Sequence, residues 1–258
     1  MLNPPLGGRG PMKIIPLSEG AFSIDKTKVF VPFDKEKNNL PDRPQGSLLV
    51  EVQPFVIITG KDIILLDTGL GFSNPDGILQ IHQNLTDNGI NPVEVTKVLL
   101  SHLHKDHSGG VAKEDKILQQ HHLSFPNALY YLNKQELAYA LEKGKPSYTP
   151  DEFQMLQTAP NVEFIEGNGT IDGYIRYEIS GGHCPYHIVF WIEEDSQIIF
   201  FGADVAPQLQ QMKSRLIAKY DYDGKLSMEL RSKWWKQAQE EHWTILFYHD
   251  IKTPYVVL

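Results

Sequence analysis

The sequence predicts an α+β domain in which two β-sheets pack together and helices cover the outside. Three features carry that expectation. Short segments rich in β-branched and aromatic residues come in two series, at 13–102 and 162–204, broken by Gly, Pro and Asp turns. A stretch at 113–160, rich in Lys, Glu, Gln and Leu, separates the two series with helical spacing. An amphipathic run at 226–241 then precedes one last strand. Strands in series with helices in blocks suit layered sheets.

Taken in order, KIIPLSEGAFSI, GSLLVEVQPFVIIT and KDIILLDTG read as strands, and the polar, Pro-bearing stretch 33–47 between the first two reads as a loop. ILQIHQNLTDNGI (78–90) has apolar residues at helical spacing and stops at Gly89, which suits a helix C-terminus. VTKVLLSH is the next strand. In 113–160 the helical pattern is clearest in NKQELAYALEKG and again after Thr149, a cap followed by Pro150 at the first helical position. Strands return at VEFIE, IRYEIS, HIVFWIEE and QIIFFGAD. The helix LSMELRSKWWKQAQEE (226–241) leads into WTILFYHD. Residues 1–11 read as a flexible leader without the apolar core of a secretory signal. Residues 12–258 form one expected domain, with 113–160 as a helical insertion.

Composition excludes several functions. The net charge is −8 and the 24 basic residues are scattered, which opposes a nucleic-acid-binding face. The longest apolar runs, such as IIFFGA at 198–203, are strand-sized and too short for a membrane span. A single cysteine, Cys184, permits no internal disulfide and suits a reducing compartment, so a cytoplasmic protein is expected.

The chemistry concentrates in SHLHKDHSGG at 101–110. Side chains alternate along an extended segment, so His102 and His104 fall on one side. Asp106 and His107 follow the turn and reach a second position a few residues on. The small residues that come next let the chain bend tightly. Two adjacent binding positions from one loop suggest two metal ions, which need further ligands at other strand ends. His183 in a Gly-rich turn, Asp204 at the end of QIIFFGAD and His249 at the end of WTILFYHD are the candidates.

LLDTG (65–69), SHLHKDH (101–107), GGHCPYH (181–187), GAD (202–204) and FYHD (247–250) resemble, in order and spacing, the five motifs of the metallo-β-lactamase superfamily. That resemblance implies a four-layer αβ/βα sandwich with metals in the cleft between the sheet edges. It implies that His102, His104 and His183 hold a first ion and Asp106, His107 and His249 a second. Asp204 bridges the two, and Asp67 orients a ligand or the loop by hydrogen bonds. The implied activity is a metal-dependent hydrolase in which a bridging hydroxide cleaves an ester, lactone or similar acyl bond of a small molecule. Asp106 carries a proton to the leaving group as the catalytic acid. Phosphoester hydrolysis and iron-dependent redox chemistry are the alternatives within the superfamily. Zinc is the first choice of metal, with manganese, iron and cobalt compatible with the same donors. The quorum-quenching lactonases of the family carry a tyrosine three residues after the bridging aspartate. Pro207 stands there in this chain, and Tyr220 or Tyr222 are the candidates to replace it.

Other polar and aromatic residues read more plainly. His187 is a packing residue, and His121, His122 and His242 are surface residues. Cys184 is an inert packing thiol, and Trp234 and Trp235 belong to the core. Phe125, Tyr130, Tyr131 and Phe153, in the 113–160 segment, are expected to wall the substrate pocket.

Overall fold

The computed structural model describes residues 12–115 and 120–258. The expected leader at 1–11 lies outside the described residues. Two six-stranded sheets dominate. The first orders its strands Lys13–Pro16, Phe55–Ile58, Ile63–Leu66, Lys97–Leu99, Leu129–Asn133 and Val162–Ile165. The second orders Gly169–Ile171, Ile175–Ile179, Ile188–Glu194, Gln197–Phe201, Thr244–Leu246 and Tyr255–Val257. A three-stranded sheet of Val31–Pro32, Gly20–Ile24 and Leu48–Val52 flanks them.

Side-chain alternation explains the layering. Phe55, Ile57, Phe190, Ile192, Ile199 and Phe201 turn toward one core shared by the two large sheets, where Phe55 and Phe201 meet edge to face at 6.3 Å. The intervening Val56 joins a second core with Ile81 and Leu85 of helix Gln80–Asp87. Val189, Trp191 and Phe200 join a third core with Trp234 and Ala238 of helix Gly224–Glu241. Strands covered on both faces are apolar at nearly every position, which is why they read as continuous runs. The result is helix, sheet, sheet, helix: the four-layer α+β sandwich. Trp234 is fully buried, and Trp235 packs against the same core.

Of the two helix-end signals, Thr149 stands before Pro150–Phe153 without a side-chain capping bond, and Gly89 closes its helix. Gly89 has φ 75°, its N–H donates to the Thr86 carbonyl at 2.9 Å, and Ile90 N–H donates to Leu85 at 3.0 Å. Those paired bonds close the helix with glycine in the left-handed region. Asp223 caps the last helix by accepting from Leu226 N–H at 2.9 Å.

The 113–160 segment departs from the expected helical insertion. Its described residues contain a hairpin, Ala112–Asp115 with Gln120–Leu123, and a central strand, Leu129–Asn133, before the helix Lys134–Lys143 and the turns Pro150–Phe153 and Gln154–Gln157. LYYLN is only five residues and abuts strong helix formers, so periodicity alone merged it with the helix. Asn133 marks the true boundary, its side chain accepting from Gln135 N–H at 2.7 Å.

Three neighbouring pairs are parallel in the first sheet, while Gln197–Phe201 and Thr244–Leu246 run parallel in the second. Loops leave the C-terminal ends of four such strands at Asp67, Ser101, Gly202 and Phe247. The candidate site forms there. No helix among the described residues is long and apolar enough to cross a membrane.

Candidate metal centre

All seven residues picked out by their strand ends converge. His102, His104, His183 and Asp204 present donor atoms within 4.8 Å of one another, and Asp106, His107 and His249 form a second such set. Asp204 joins the two. Its Oδ2 lies 3.2 Å from His183 Nε2 and 4.0 Å from His102 Nε2. Its Oδ1 lies 3.0 Å from His249 Nε2 and 3.1 Å from His107 Nε2. Asp106 Oδ2 stands 3.5 Å from His249 Nε2 and 3.7 Å from His107 Nε2.

These contacts do not make sense as hydrogen bonds alone. His104 Nδ1 is 3.0 Å from His102 Nε2 and also 3.0 Å from His183 Nε2, three ring nitrogens facing one point. Neutral imidazole offers one N–H, so three nitrogens around one spot leave lone pairs aimed at each other. His107 Nε2 and Asp204 Oδ1 are buried without a hydrogen-bond partner. Buried polar atoms are costly when unpaired, and imidazole and carboxylate donors pointing inward fit divalent cations.

The far nitrogens are held from behind. His107 Nδ1 faces Asp67 Oδ2 at 2.7 Å, His183 Nδ1 faces Asp221 Oδ1 at 2.9 Å, and His249 Nδ1 faces the Glu51 carbonyl at 2.7 Å. His102 Nδ1 lies 3.0 Å from Ser101 Oγ. Such partners fix ring orientation and tautomer and raise donor strength. Asp67 also lies close to His102 and His107 as a third donor set. Its oxygens, however, already accept from Ser101 N–H at 2.7 Å and Ser101 Oγ at 2.6 Å, besides facing His107. Asp67 reaches this position with φ 57°, a left-handed conformation that Asp tolerates better than most residues.

Charge differs between the sets. Burial, followed by the neighbouring imidazoles, holds His102 and His104 well below the ordinary histidine range. Burial opposes charge at His107 too, but the Asp204, Asp106 and Asp67 carboxylates outweigh it and push that ring well up. His249 is likewise raised, Asp204 overcoming burial.

The glycines at 109 and 110 serve a different purpose from the expected turn. Gly109 has an ordinary helical φ of −59°. A Cβ there would strike the Leu70 backbone, and one at Gly110 would strike the Thr68 carbonyl. They let the strand-end loop after Leu66 lie directly on the ligand loop, where Thr68 N–H donates to the His107 carbonyl at 2.7 Å.

His187 packs under the site, 5.0 Å from the His102 ring, with Ser180 Oγ on its Nδ1 at 2.8 Å. Cys184 is buried and joins no donor set; its Sγ donates to Glu136 Oε2 at 3.4 Å. Burial and that carboxylate push the thiol well up. His121, His122 and His242 are exposed. Tyr220 reaches the site, its ring 6.1 Å from His183, while Tyr222 is exposed. The aromatic walls differ from expectation. Phe125, Tyr130 and Phe153 are fully buried in the second core and Tyr131 in the inter-sheet core. They belong to the sheet and its helical cover, and Tyr148, 4.8 Å from the His104 ring, and Tyr139, 6.2 Å from Tyr148, stand nearer the metal loop.

Sequence reasoning missed Asp221, Ser101, Tyr248 and the Glu51 carbonyl. Tyr248 stacks on His107 at 4.1 Å and donates to the Asp106 carbonyl at 2.6 Å. It stood inside FYHD, where only the histidine was weighed. Asp221 carried no signal, because tertiary bonds from Tyr222 N–H to His183 and Asp223 N–H to Gly182 bring its loop in.

The chain belongs to the metallo-beta-lactamase superfamily, whose description matches residues 49–249 and so includes both donor sets. It is similar to an atrochrysone carboxyl ACP thioesterase of Cryptosporiopsis sp., 26% identical over 223 residues, covering 78% of this chain and 60% of that protein. The chain spans 35, 38 and 60% of the length of three curated relatives it matches. Among solved structures, a probable metal-dependent hydrolase from Staphylococcus aureus superposes with a TM-score of 0.78 at 20% identity, covering 96% of this chain and 92% of that one. The dizinc quorum-quenching lactonase AidC superposes with a TM-score of 0.71 at 19% identity, covering 96% and 90%.

Proposed function

We propose that this protein is a dinuclear metal-dependent hydrolase that cleaves an ester, lactone or thioester bond of a small molecule. One observation carries the reading: the two oxygens of Asp204 are divided between two separate imidazole sets. His102, His104 and His183 would hold the first ion, Asp106, His107 and His249 the second, and Asp204 would serve both. Zinc suits these donors, as do manganese, iron and cobalt. Such ions, when bound there, would supply a water of near-neutral pKa and Lewis acidity toward an acyl oxygen.

The chain's own residues do the rest. Asp67, Asp221 and the Glu51 carbonyl keep the three imidazoles they touch aimed inward. Asp106 engages the second set through Oδ2 and carries a proton to the leaving group. Tyr220, beside His183, takes the orienting place that Pro207 leaves empty. A thioester falls within the acyl class and is supported by the name of the Cryptosporiopsis relative.

The test loads purified protein with zinc, counts the metal, and offers lactones, aryl esters, thioesters and phosphotriesters. Turnover of acyl substrates is expected. A dinuclear protein that turned over only phosphotriesters, or nothing, would overturn the acyl reading.

A further inference from the structure

The rim of the cleft carries positive charge that neither donor set uses. Lys105 lies inside the ligand run, between His104 and Asp106, and is half-buried with its Nζ 5.7 Å from the centre of the Phe30 ring. Lys28, two residues before Phe30, is also half-buried, which brings a second cation near the ring that Lys105 covers. His104 is the one member of its donor set that is not fully buried, and Lys105 follows it directly in the chain.

Neither ammonium has a carboxylate within 4.0 Å among the described residues, in a chain with 32 acids against 24 bases. Neighbouring acids are engaged elsewhere. Asp25 accepts from Thr27 N–H at 2.9 Å and Thr27 Oγ1 at 2.5 Å, and Asp106 turns Oδ2 to His249. Glu152 acts on Lys105, but burial raises its pKa to about 7, so it is a weak counter-charge at neutral pH. Lys28 further holds φ 60°, a left-handed conformation unfavourable for lysine. Half-buried charge without a carboxylate partner, beside a reactive centre, is the arrangement of a ligand site.

We propose that Lys28 and Lys105 form an anion site at the mouth of the cleft, and that the substrate is an acyl compound bearing a carboxylate or phosphate beyond its scissile bond. Phe30 lies against the carbons next to that anion. The inference rests on the hydrolase reading above, which it narrows to an anionic substrate.

Binding is tested on metal-loaded protein by titration calorimetry with succinate and butyrate, which share one carboxylate and differ in the second. Succinate is expected to bind about tenfold tighter, the scale of one charge-assisted contact. Lys28→Met should abolish the difference and Lys28→Arg should keep it. Lys105→Met should act like Lys28→Met, with metal content measured first because it lies in the ligand run. Turnover is then compared within two pairs: p-nitrophenyl hemisuccinate against p-nitrophenyl butyrate, and an acyl-phosphopantetheine against the same acyl-pantetheine. A preference in the first pair names a carboxylate, and in the second a phosphate. Equal succinate and butyrate binding, or a difference that survives Lys28→Met, overturns the anion site. Hydrolysis of both pairs without preference overturns it while sparing the hydrolase reading. Selective succinate binding without any hydrolysis does the reverse.

Discussion

The two donor sets share Asp204 and differ in almost everything behind it. The first is built from three histidines on two loops, and burial, followed by neighbouring imidazoles, holds its His102 and His104 rings well below the ordinary histidine range. The second has two histidines and Asp106, and carboxylates drive both rings toward the charged form. A proton and a metal ion compete for the same imidazole lone pair. The first set is therefore poised for metal, whereas the second must shed protons to take one. The sets also differ in support: Asp221 stands behind the first, Asp67 and the Glu51 carbonyl behind the second.

Removing both ions should have the largest effect. Chelation should abolish turnover and also lower the melting temperature, because metal binds the folded state. At a hundredfold excess over Kd the linkage is about 2.7 kcal/mol, or roughly 5–10 °C for a chain of this size. Scanning calorimetry with and without chelator reads it, and an unchanged melting curve would mean that no ion is bound tightly.

Next come the supporting carboxylates, which separate the sets. Asp221→Asn should weaken the first ion and Asp67→Asn the second, each by about 10–100-fold. Competition with a chromogenic chelator resolves the two affinities. Equal weakening of both ions by either change would erase the proposed division.

Acid should also part them. Because His107 and His249 have raised pKa values and bind metal only when neutral, lowering the pH from neutral into the acid range should displace the second ion first. Cobalt spectra followed through that range show the order of loss, and simultaneous loss would contradict it. The smallest effect belongs to Cys184→Ser, which should leave both ions and turnover nearly unchanged. Loss of one equivalent would make the thiol a ligand.

What was legible in the sequence was whatever local chemistry imposes. Gly89 closes its helix in the left-handed region, as its place after the apolar spacing of 78–90 implied. The candidate ligands were picked out because a rigid strand end is where a side chain can be aimed, and their donor atoms converge in the fold. Leu129–Asn133 was hidden because four apolar residues fit either period, and only the Asn133 cap separates them from the helix. Phe125 and Tyr130 look alike in sequence whether they wall a pocket or fill a core, and the packing that buries them is long-range. Asp221 was unreadable for the same reason: its partner His183 is 38 residues away.

Asp204 bears the central claim. Zinc-loaded wild type and Asp204→Ala, dialysed side by side and assayed by elemental analysis, test it most directly. The account predicts about two ions per chain in the wild type and weakened binding at both positions in the variant. One ion per chain in the wild type, or two tightly held ions in Asp204→Ala, would contradict it.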